Sequence, residues 1–305
     1  MPRRSGAASA LAAALLFGSL PVLGKLADSP PITVALAMNL VAGLAFLPFL
    51  IRHPIPRREL PGVISIGVLG GALAPSLFLL GLARTTTVTA ALLMTTETLF
   101  TMAIAYGLGE RVSRRGYLAA AGLLGGAVIV ATGLDASGLS LLPSVAGNLL
   151  ILAAAVAWSA DNTISRTLSR RNAVPALVGA KCLVATAVLG PVAVAVGSPL
   201  APSPSDLPLL LLLGVFVHAG AIWLFYLALR ELGAMRTVAL FTLSAVFGAV
   251  GGYLLFRDEL TAIQVAAGAA MVALAVVLSL EAPARDVPKS ENGPPGGKTL
   301  TKRPL

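Results

Sequence analysis

Charged residues are scarce in this chain of 305 residues: Asp, Glu, Lys and Arg make up 11% of it, and hydrophobic residues make up 57%. A soluble domain carries about a quarter charged residues, so these charges are too few to cover a surface exposed to water. The mean hydropathy is +0.90, and a membrane-spanning helix needs about 20 largely apolar residues. The composition therefore predicts an integral membrane protein, with the lipid bilayer as its partner.

Cysteine and histidine are also nearly absent, with one Cys and two His in the whole chain. The single Cys182 excludes a disulfide within the chain, and no Cys/His cluster has the spacing of a metal site. The sequence contains no GxSxG, HExxH or phosphate-loop pattern. We therefore expect no enzyme, no resident metal or cofactor, and no ATP-driven pump contained in this chain.

The sequence also lacks a basic face of the kind that binds nucleic acid, and it lacks strands of alternating polarity. The net charge of +9 does not indicate a nucleic-acid-binding protein, because the Arg residues lie in short connections and not on one face among aromatic residues. A β-barrel would need segments of about 10 residues with alternating polarity, whereas runs such as LLLLLGVFVHAGAIWLFYLAL are continuously apolar. The sequence predicts an all-α protein without a nucleic-acid partner.

Turn residues and charges divide the chain into ten apolar segments that are long enough to cross a bilayer. The predicted spans are 8–27, 32–51, 62–82, 86–108, 115–134, 145–167, 174–196, 207–229, 236–256 and 260–280. The N-terminal segment resembles a signal peptide, but its apolar run continues without a small-residue cleavage site. We expect a retained first helix, with cleavage as the alternative.

The orientation follows from the positive charges in the connections. Lys and Arg concentrate in alternate connections, which the positive-inside rule places in the cytoplasm. Arg3 and Arg4 fall on the same side, and the number of spans is even. We therefore predict a multi-pass protein of the cytoplasmic (inner) membrane with both termini in the cytoplasm. Residues 281–305, rich in Pro, Gly and Lys, are predicted to form a disordered cytoplasmic tail.

The two halves of the sequence resemble each other. LFGSLPVLGK (16–25) aligns with AWSADNTISR (157–166), and GLARTTTVTA (81–90) aligns with ALRELGAMRT (228–237). Five spans in each unit is an odd number, so the second unit must enter the membrane in the opposite orientation. We predict two inverted five-helix repeats over residues 8–134 and 145–280. Such repeats are typical of secondary carriers, which bind substrate near the midplane between the halves.

Two long stretches carry a family resemblance. They are LLMTTETLFTMAIAYGLGERVSRRGYLAAAGLLGGAVIVATG (92–133) and LRELGAMRTVALFTLSAVFGAVGGYLLFRDELTAIQVAAGAAMVALAVVL (229–278). The sequence resembles the drug/metabolite transporter superfamily, in its EamA-type branch of ten-helix permeases. The resemblance implies a carrier that moves a small-molecule substrate, a metabolite or drug-like solute, often as an exporter, by alternating access. That family often has a Pro near position 97, where this chain has TTE, so no known member's substrate is transferred.

Glu97 lies about twelve residues into the fourth predicted span, close to the bilayer centre. An ionised acid there costs about 2.5–3.5 kcal/mol on insertion scales. Glu97 must therefore face a wet cavity, pair with a cation or hold a proton, and Thr101 lies one turn further along the helix. The functional interpretation is a contact with a substrate amine or a proton-coupling carboxylate. The alternative is a hydrogen bond that locks two helices together.

Charged and aromatic residues of the sixth and seventh spans form a second group of candidates. Asp161 and Lys181 lie at similar depth, and an ion pair between them is expected either in the site or as a packing clasp. Asn162 shares a helix face with Arg166, and Arg166 can instead extend to the cytoplasm. Trp158 is one turn before Asp161, which makes it the best aromatic candidate for a pocket.

Two further polar residues are candidates at the centre of the bundle. His218 is central in the eighth span and can work with Glu97 as a proton acceptor, or it can form a hydrogen bond between helices. Asn39 matches Lys181 in the repeat and is a cavity candidate. The runs GLLGG (122–126) and GAVGG (248–252) contain GxxxG spacings, which favour close helix packing in one molecule or across a homodimer.

Two other functions remain beside the carrier. A membrane sensor or assembly protein without transport activity would share the same helices. A membrane-embedded lipid enzyme is the weaker alternative, because it needs several His, Asp or Arg residues at one interface and this chain has two His in total.

Overall fold

The computed structural model describes residues 2–107, 113–132, 142–232, 237, 240–258 and 261–280. Within these ranges every regular element is a helix, which confirms the all-α prediction. Seven helices in the described ranges are long and apolar enough to cross a membrane, and shorter apolar helices lie at 244–256 and 262–277. The predicted tail at 281–305 lies outside the described residues.

The first half of the chain forms five helical segments, of which three are interrupted. Its helices are α1 (Pro2–Gly18), α2 (Leu20–Lys25), α3 (Pro31–Arg52), α4 (Leu60–Ile66), α5 (Ala74–Leu82), α6 (Thr87–Leu93), α7 (Glu97–Gly107) and α8 (Arg114–Thr132). The break between α1 and α2 falls at Ser19. A wide π-helical turn over Gly67–Leu73 joins α4 to α5, and a 3₁₀ turn over Met94–Thr96 joins α6 to α7.

The second half repeats this order of segments. Its helices are α9 (Leu142–Arg171), α10 (Val174–Ala195), α11 (Leu207–Leu212), α12 (Ala221–Leu232), α13 (Ser244–Phe256) and α14 (Ala262–Leu280). A second π-helical turn, Leu213–Gly220, joins α11 to α12. Both halves therefore interrupt their third span in the same way, and such wide turns occur frequently at functional sites.

The helices of the two halves pack against each other in a symmetric pattern. Exchanging the two halves gives the same set of helix pairs. α3 packs against α10 and α8 against α14, so that each of these four helices contacts its own counterpart. α6, the first part of the fourth span, packs against α13, which belongs to the fourth span of the other half. α1 packs against α12, and the corresponding pair of the other half, α9 and α5, is also in contact. This pairing is the one that a two-fold relation between the halves requires.

Lys25 caps the C-terminal end of α5, on the side of the bundle opposite the Arg-rich connections. Its ammonium group donates hydrogen bonds to the carbonyl oxygens of Leu82 (2.9 Å) and Thr85 (3.0 Å), just beyond the end of α5. These carbonyls have no partner within the helix, and a cation at a helix C-terminus is favoured by the helix dipole. Lys25 therefore ties the end of the first span to the end of the third.

An acid followed by Leu-Pro begins the third span of each half, as Glu59 and Asp206. The buried Asp206 carboxylate accepts hydrogen bonds from Ser29 Oγ (2.6 Å) and from the backbone N–H groups of Ser29 (2.7 Å) and Asp28 (3.2 Å). The buried Glu59 carboxylate lies 3.6 Å from Arg171 Nη1. We name these contacts the Asp206 clasp and the Glu59 clasp. Each joins one half to the other, and they lie at opposite ends of the helices.

The Asp206 clasp is expected to be the stronger of the two. Substituting Asp206 by Ala leaves the buried Ser29 donors unpaired, so the free energy of unfolding should fall by about 1–3 kcal/mol. Substituting Glu59 by Gln removes an ion pair to a largely exposed arginine, which is worth about 0–1 kcal/mol. Thermal unfolding in detergent micelles measures both changes, and Asp206→Asn, which keeps an acceptor oxygen, is the matched control. Equal losses in Asp206→Ala and Glu59→Gln would contradict this ranking.

Both glycine runs with GxxxG spacing are used for packing within the chain. An added Cβ at Gly126 would lie 2.4 Å from Met271 of α14, and one at Gly252 would lie 2.9 Å from Thr87 of α6. The small residues therefore allow α8 to approach α14 closely and α13 to approach α6 closely. A homodimer through these helices stays a prediction.

Candidate functional site

A small cavity lined by charged and aromatic side chains lies between the two halves. Its volume is about 40 Å³, which is room for water molecules and too little for a metabolite. The lining side chains come from α1, α7, α9, α10 and α12 and from residue 241; they are Phe17, Glu97, Trp158, Asp161, Asn162, Lys181, Ala221, Ile222, Phe225, Tyr226 and Phe241.

The ion pair between Asp161 and Lys181 is present at this cavity. Lys181 Nζ donates to Asp161 Oδ2 at 2.5 Å, and each side chain is 2% exposed. Ser165 Oγ donates to the other carboxylate oxygen at 3.1 Å and lies 2.6 Å from the Tyr226 hydroxyl. Lys181 Nζ also lies 5.9 Å from the centre of the Tyr226 ring. The two charges thus neutralise each other inside a hydrogen-bonded group that joins α9, α10 and α12.

The wide turn Gly67–Leu73 accepts hydrogen bonds from two side chains of neighbouring helices through its backbone. Trp158 Nε1 donates to the carbonyl oxygen of Gly70 (3.2 Å), and Asn39 Nδ2 donates to that of Gly71 (2.9 Å). A Cβ at Gly70 would lie 2.1 Å from Asp161 Oδ2. Glycine is therefore required at position 70, because any side chain would displace the carboxylate that binds Lys181.

A methyl group at position 70 should test this close approach. Gly70→Ala is expected to lower the free energy of unfolding by about 1–3 kcal/mol through overpacking, with a further loss as the Asp161–Lys181 pair separates. Gly125 of α8 has no atom within 4 Å of an added Cβ, so Gly125→Ala should leave stability unchanged or raise it by about 0.5–1 kcal/mol. Thermal unfolding in micelles compares the two variants. Equal melting temperatures for them would contradict the packing argument.

Glu97 lies where the 3₁₀ turn ends and α7 begins, and its partly buried side chain reaches the same cavity. Its carboxylate oxygen Oε1 accepts a hydrogen bond from Asn162 Nδ2 at 2.5 Å. Its backbone carbonyl accepts one from Ser159 Oγ at 2.9 Å. In the part of the chain that the structure describes, no Lys, Arg or His forms an ion pair with this carboxylate. Ser244 and Glu97 both line a neighbouring cavity of about 20 Å³.

His218 and Asn39 form a separate polar contact. His218 Nε2 lies 3.2 Å from Asn39 Oδ1, both residues are buried, and neither is among the described residues that line the Glu97 cavity. The contact joins α3 to the second wide turn, Leu213–Gly220. Thr101 lies one turn beyond Glu97 in α7, partly buried, and it is also absent from the described lining.

Aromatic rings form one continuous wall of the cavity. Phe17 meets Trp158 edge to face with ring centres 5.3 Å apart, Phe17 lies 5.1 Å from Phe241, and Phe241 lies 4.7 Å from Phe225. The repeat alignment pairs position 17 with position 158, so two equivalent side chains touch each other. The predicted inverted repeat would place this cavity at its pseudo-two-fold axis. Sequence reasoning missed Phe17, Phe225 and Phe241, although the alignment with Trp158 was a signal for Phe17.

Comparison with known proteins assigns the chain to a family. Residues 4–132 and residues 145–280 each match the EamA-like transporter family. The chain belongs to this family. The predicted resemblance to the drug/metabolite transporter superfamily is thereby confirmed, and this EamA-like protein is a membrane transporter with several spans.

Individual relatives of this EamA-like transporter agree with the assignment. It is 30% identical over 293 residues to an uncharacterized transporter of Methanothermobacter thermautotrophicus (strain Delta H), covering 89% of this chain and 85% of the relative. A protein of known crystal structure shares the fold with a TM-score of 0.63 at 22% identity, over 90% of this chain and 96% of that one. Neither relative supplies a substrate.

Proposed function

We propose that this EamA-like transporter is a secondary carrier that exports a small metabolite or drug-like solute by alternating access. The observation that carries the proposal is the cavity at the pseudo-two-fold axis, where Glu97, Asp161 and Lys181 meet a wall of aromatic rings. Ionisable residues inside a membrane bundle mark substrate and ion pathways by default. Inverted-repeat carriers bind their substrate at the corresponding place.

The two clasps supply the parts that alternating access requires. The Asp206 and Glu59 clasps join the halves at opposite ends of the helices, and both are formed in this structure. Access from one face requires the halves to separate at that face, so one clasp opens while the other holds. Under the predicted orientation, the Glu59 clasp faces the cytoplasm and opens when solute enters for export.

Glu97 is the residue that we propose couples transport to protons. Its carboxylate faces the cavity and is hydrogen-bonded to a neutral amide, whereas Asp161 is held by Lys181. Exchange of a proton for solute at Glu97 would link export to the proton gradient, because one carboxylate cannot hold both at once.

A metabolite screen tests the carrier function. Extracellular and intracellular metabolites are compared between cells with and without the protein, and each solute that changes is then assayed for flux in proteoliposomes. The expected result is export of at least one small solute, lost in Lys181→Met and retained in Glu231→Gln, an acidic residue outside the cavity. No change across a broad panel, or no flux in proteoliposomes for any solute that changes, would favour a sensor or assembly protein.

A further inference from the structure

The ionisable side chains that line the cavity are not balanced in charge. Glu97 and Asp161 are acids, and Lys181 is the one base among the described lining residues. Lys181 is bound to Asp161 at 2.5 Å, which leaves the Glu97 carboxylate with the neutral amide of Asn162 as its hydrogen-bond donor in the described structure. A carboxylate removed from water needs a cation or a proton. Among the described lining residues, Glu97 is therefore the one acid without a basic partner, and a bound cation would neutralise it.

The aromatic wall is also suited to bind a cation. The rings of Trp158, Phe17, Phe241 and Phe225 follow one another at centre-to-centre distances of 4.7–5.3 Å along the cavity. Aromatic faces attract ammonium groups through their quadrupole, and cages of aromatic rings are a recurrent way to bind alkylammonium ligands. Ala221 and Ile222, which also belong to the described lining, are apolar and small or medium in size. An alkyl or aryl group attached to the cation would find an apolar surface there.

An anionic solute fits this cavity poorly. Lys181 could attract it, but its ammonium group already binds Asp161 and lies over the Tyr226 ring. An anion would have to separate that buried pair, which is strongly unfavourable, and it would also approach Glu97. A neutral solute would leave the Glu97 carboxylate without a counter-charge.

We propose that the cavity binds an organic ammonium, a monocation with an apolar substituent, with its charge beside Glu97 and its substituent against the aromatic wall. This inference rests on the proposed carrier function and names the substrate class of that site. The volume of about 40 Å³ admits a small head group at most, so the cavity must widen as the ligand enters. Movement of the rings that line it should then report binding.

The fluorescence of Trp158 can detect this movement. The chain contains two tryptophans, and the other, Trp223, is not part of the described lining. In a Trp223→Phe background, tryptophan fluorescence in detergent micelles comes from Trp158 alone. The probes are n-hexylammonium, n-hexanol and n-hexanoate, which share a chain length and differ in charge. We expect a saturable fluorescence change with n-hexylammonium and none with the other two.

The Glu97→Gln variant shows which residue selects the charge. Its affinity for n-hexylammonium should be at least tenfold weaker, whereas Glu231→Gln, which removes an acid outside the cavity, should bind as the parent does. Isothermal titration of the unmodified protein with n-hexylammonium and n-hexanol gives the same comparison without any substitution. Equal binding of the amine and the alcohol, or unchanged affinity in Glu97→Gln, would overturn the inference.

Failure of this inference and failure of the carrier function give different results. Flux of a neutral or anionic solute in proteoliposomes, without n-hexylammonium binding, would overturn the ammonium site and leave the carrier intact. Binding of n-hexylammonium that depends on Glu97, without flux of any amine or other solute, would support the site and count against transport.

Discussion

Lys181→Met should lower the free energy of unfolding by about 3–5 kcal/mol, because removing one partner of a buried ion pair leaves an uncompensated charge in the interior. Asp161 would then keep only the Ser165 hydroxyl among its described hydrogen-bond donors. The side chain of Met fills much of the volume of Lys, so lost packing contributes little. The loss is electrostatic, and it should appear in thermal and denaturant-induced unfolding in micelles.

The double variant Asp161→Asn/Lys181→Met is the matched control for this prediction. It removes both charges and keeps the acceptor oxygen for Ser165, and replacing a buried pair by neutral groups is often close to neutral for stability. We expect it to recover at least half of the loss of the single variant. A double variant that is no more stable than Lys181→Met would show that the pair acts through shape and not through charge.

Transport separates the structural role of the pair from its role in the site. If the pair is only a packing clasp, the stable double variant should carry solute at the rate of the parent protein. If the pair shapes the charge of the cavity, solute flux should fall by tenfold or more although the fold is restored. Flux in proteoliposomes, normalised to folded protein, decides between these two interpretations.

The sequence was sufficient to predict the helices and to single out the charged residues of the candidate site, for a physical reason. A long apolar run in a bilayer has few alternatives to a helix, since lipid cannot satisfy backbone polar groups. A charge within such a run must find a partner, which is why Glu97, Asp161 and Lys181 could be proposed from their depth alone. All three line one cavity.

Other features of the site depended on backbone geometry that periodicity does not encode. The wide turns at Gly67–Leu73 and Leu213–Gly220 change the rotation of each helix, so depth along the sequence did not fix which way His218 points. Its contact with Asn39 lies apart from the described lining of the Glu97 cavity. Phe17 could have been found from its alignment with Trp158, but Phe225 and Phe241 were indistinguishable in the sequence from Phe residues that face lipid. The role of Gly70 depends on one distance to Asp161.

The two halves share a scaffold and differ in charge at their centre. Glu97 begins α7 in the first half and Ser244 begins α13 in the second, and both line one small cavity beside the pseudo-two-fold axis. A symmetric scaffold provides two equivalent ways of opening, one toward each face. A single acid near the axis can be reached in either state, which is what a coupling group requires.

Glu97→Gln should therefore abolish the response of transport to a pH gradient. In proteoliposomes with an acidic lumen, proton exit through the parent protein should drive solute found in the metabolite screen inward, above its external concentration. Gln cannot carry a proton between the two faces, so the variant should lose accumulation by tenfold or more and show the same slow flux at pH 6 and pH 8. Glu231→Gln, an acid outside the cavity, should accumulate solute as the parent does. Accumulation by Glu97→Gln at the level of the parent would remove Glu97 from the coupling role and leave it as a contact between α7 and α9.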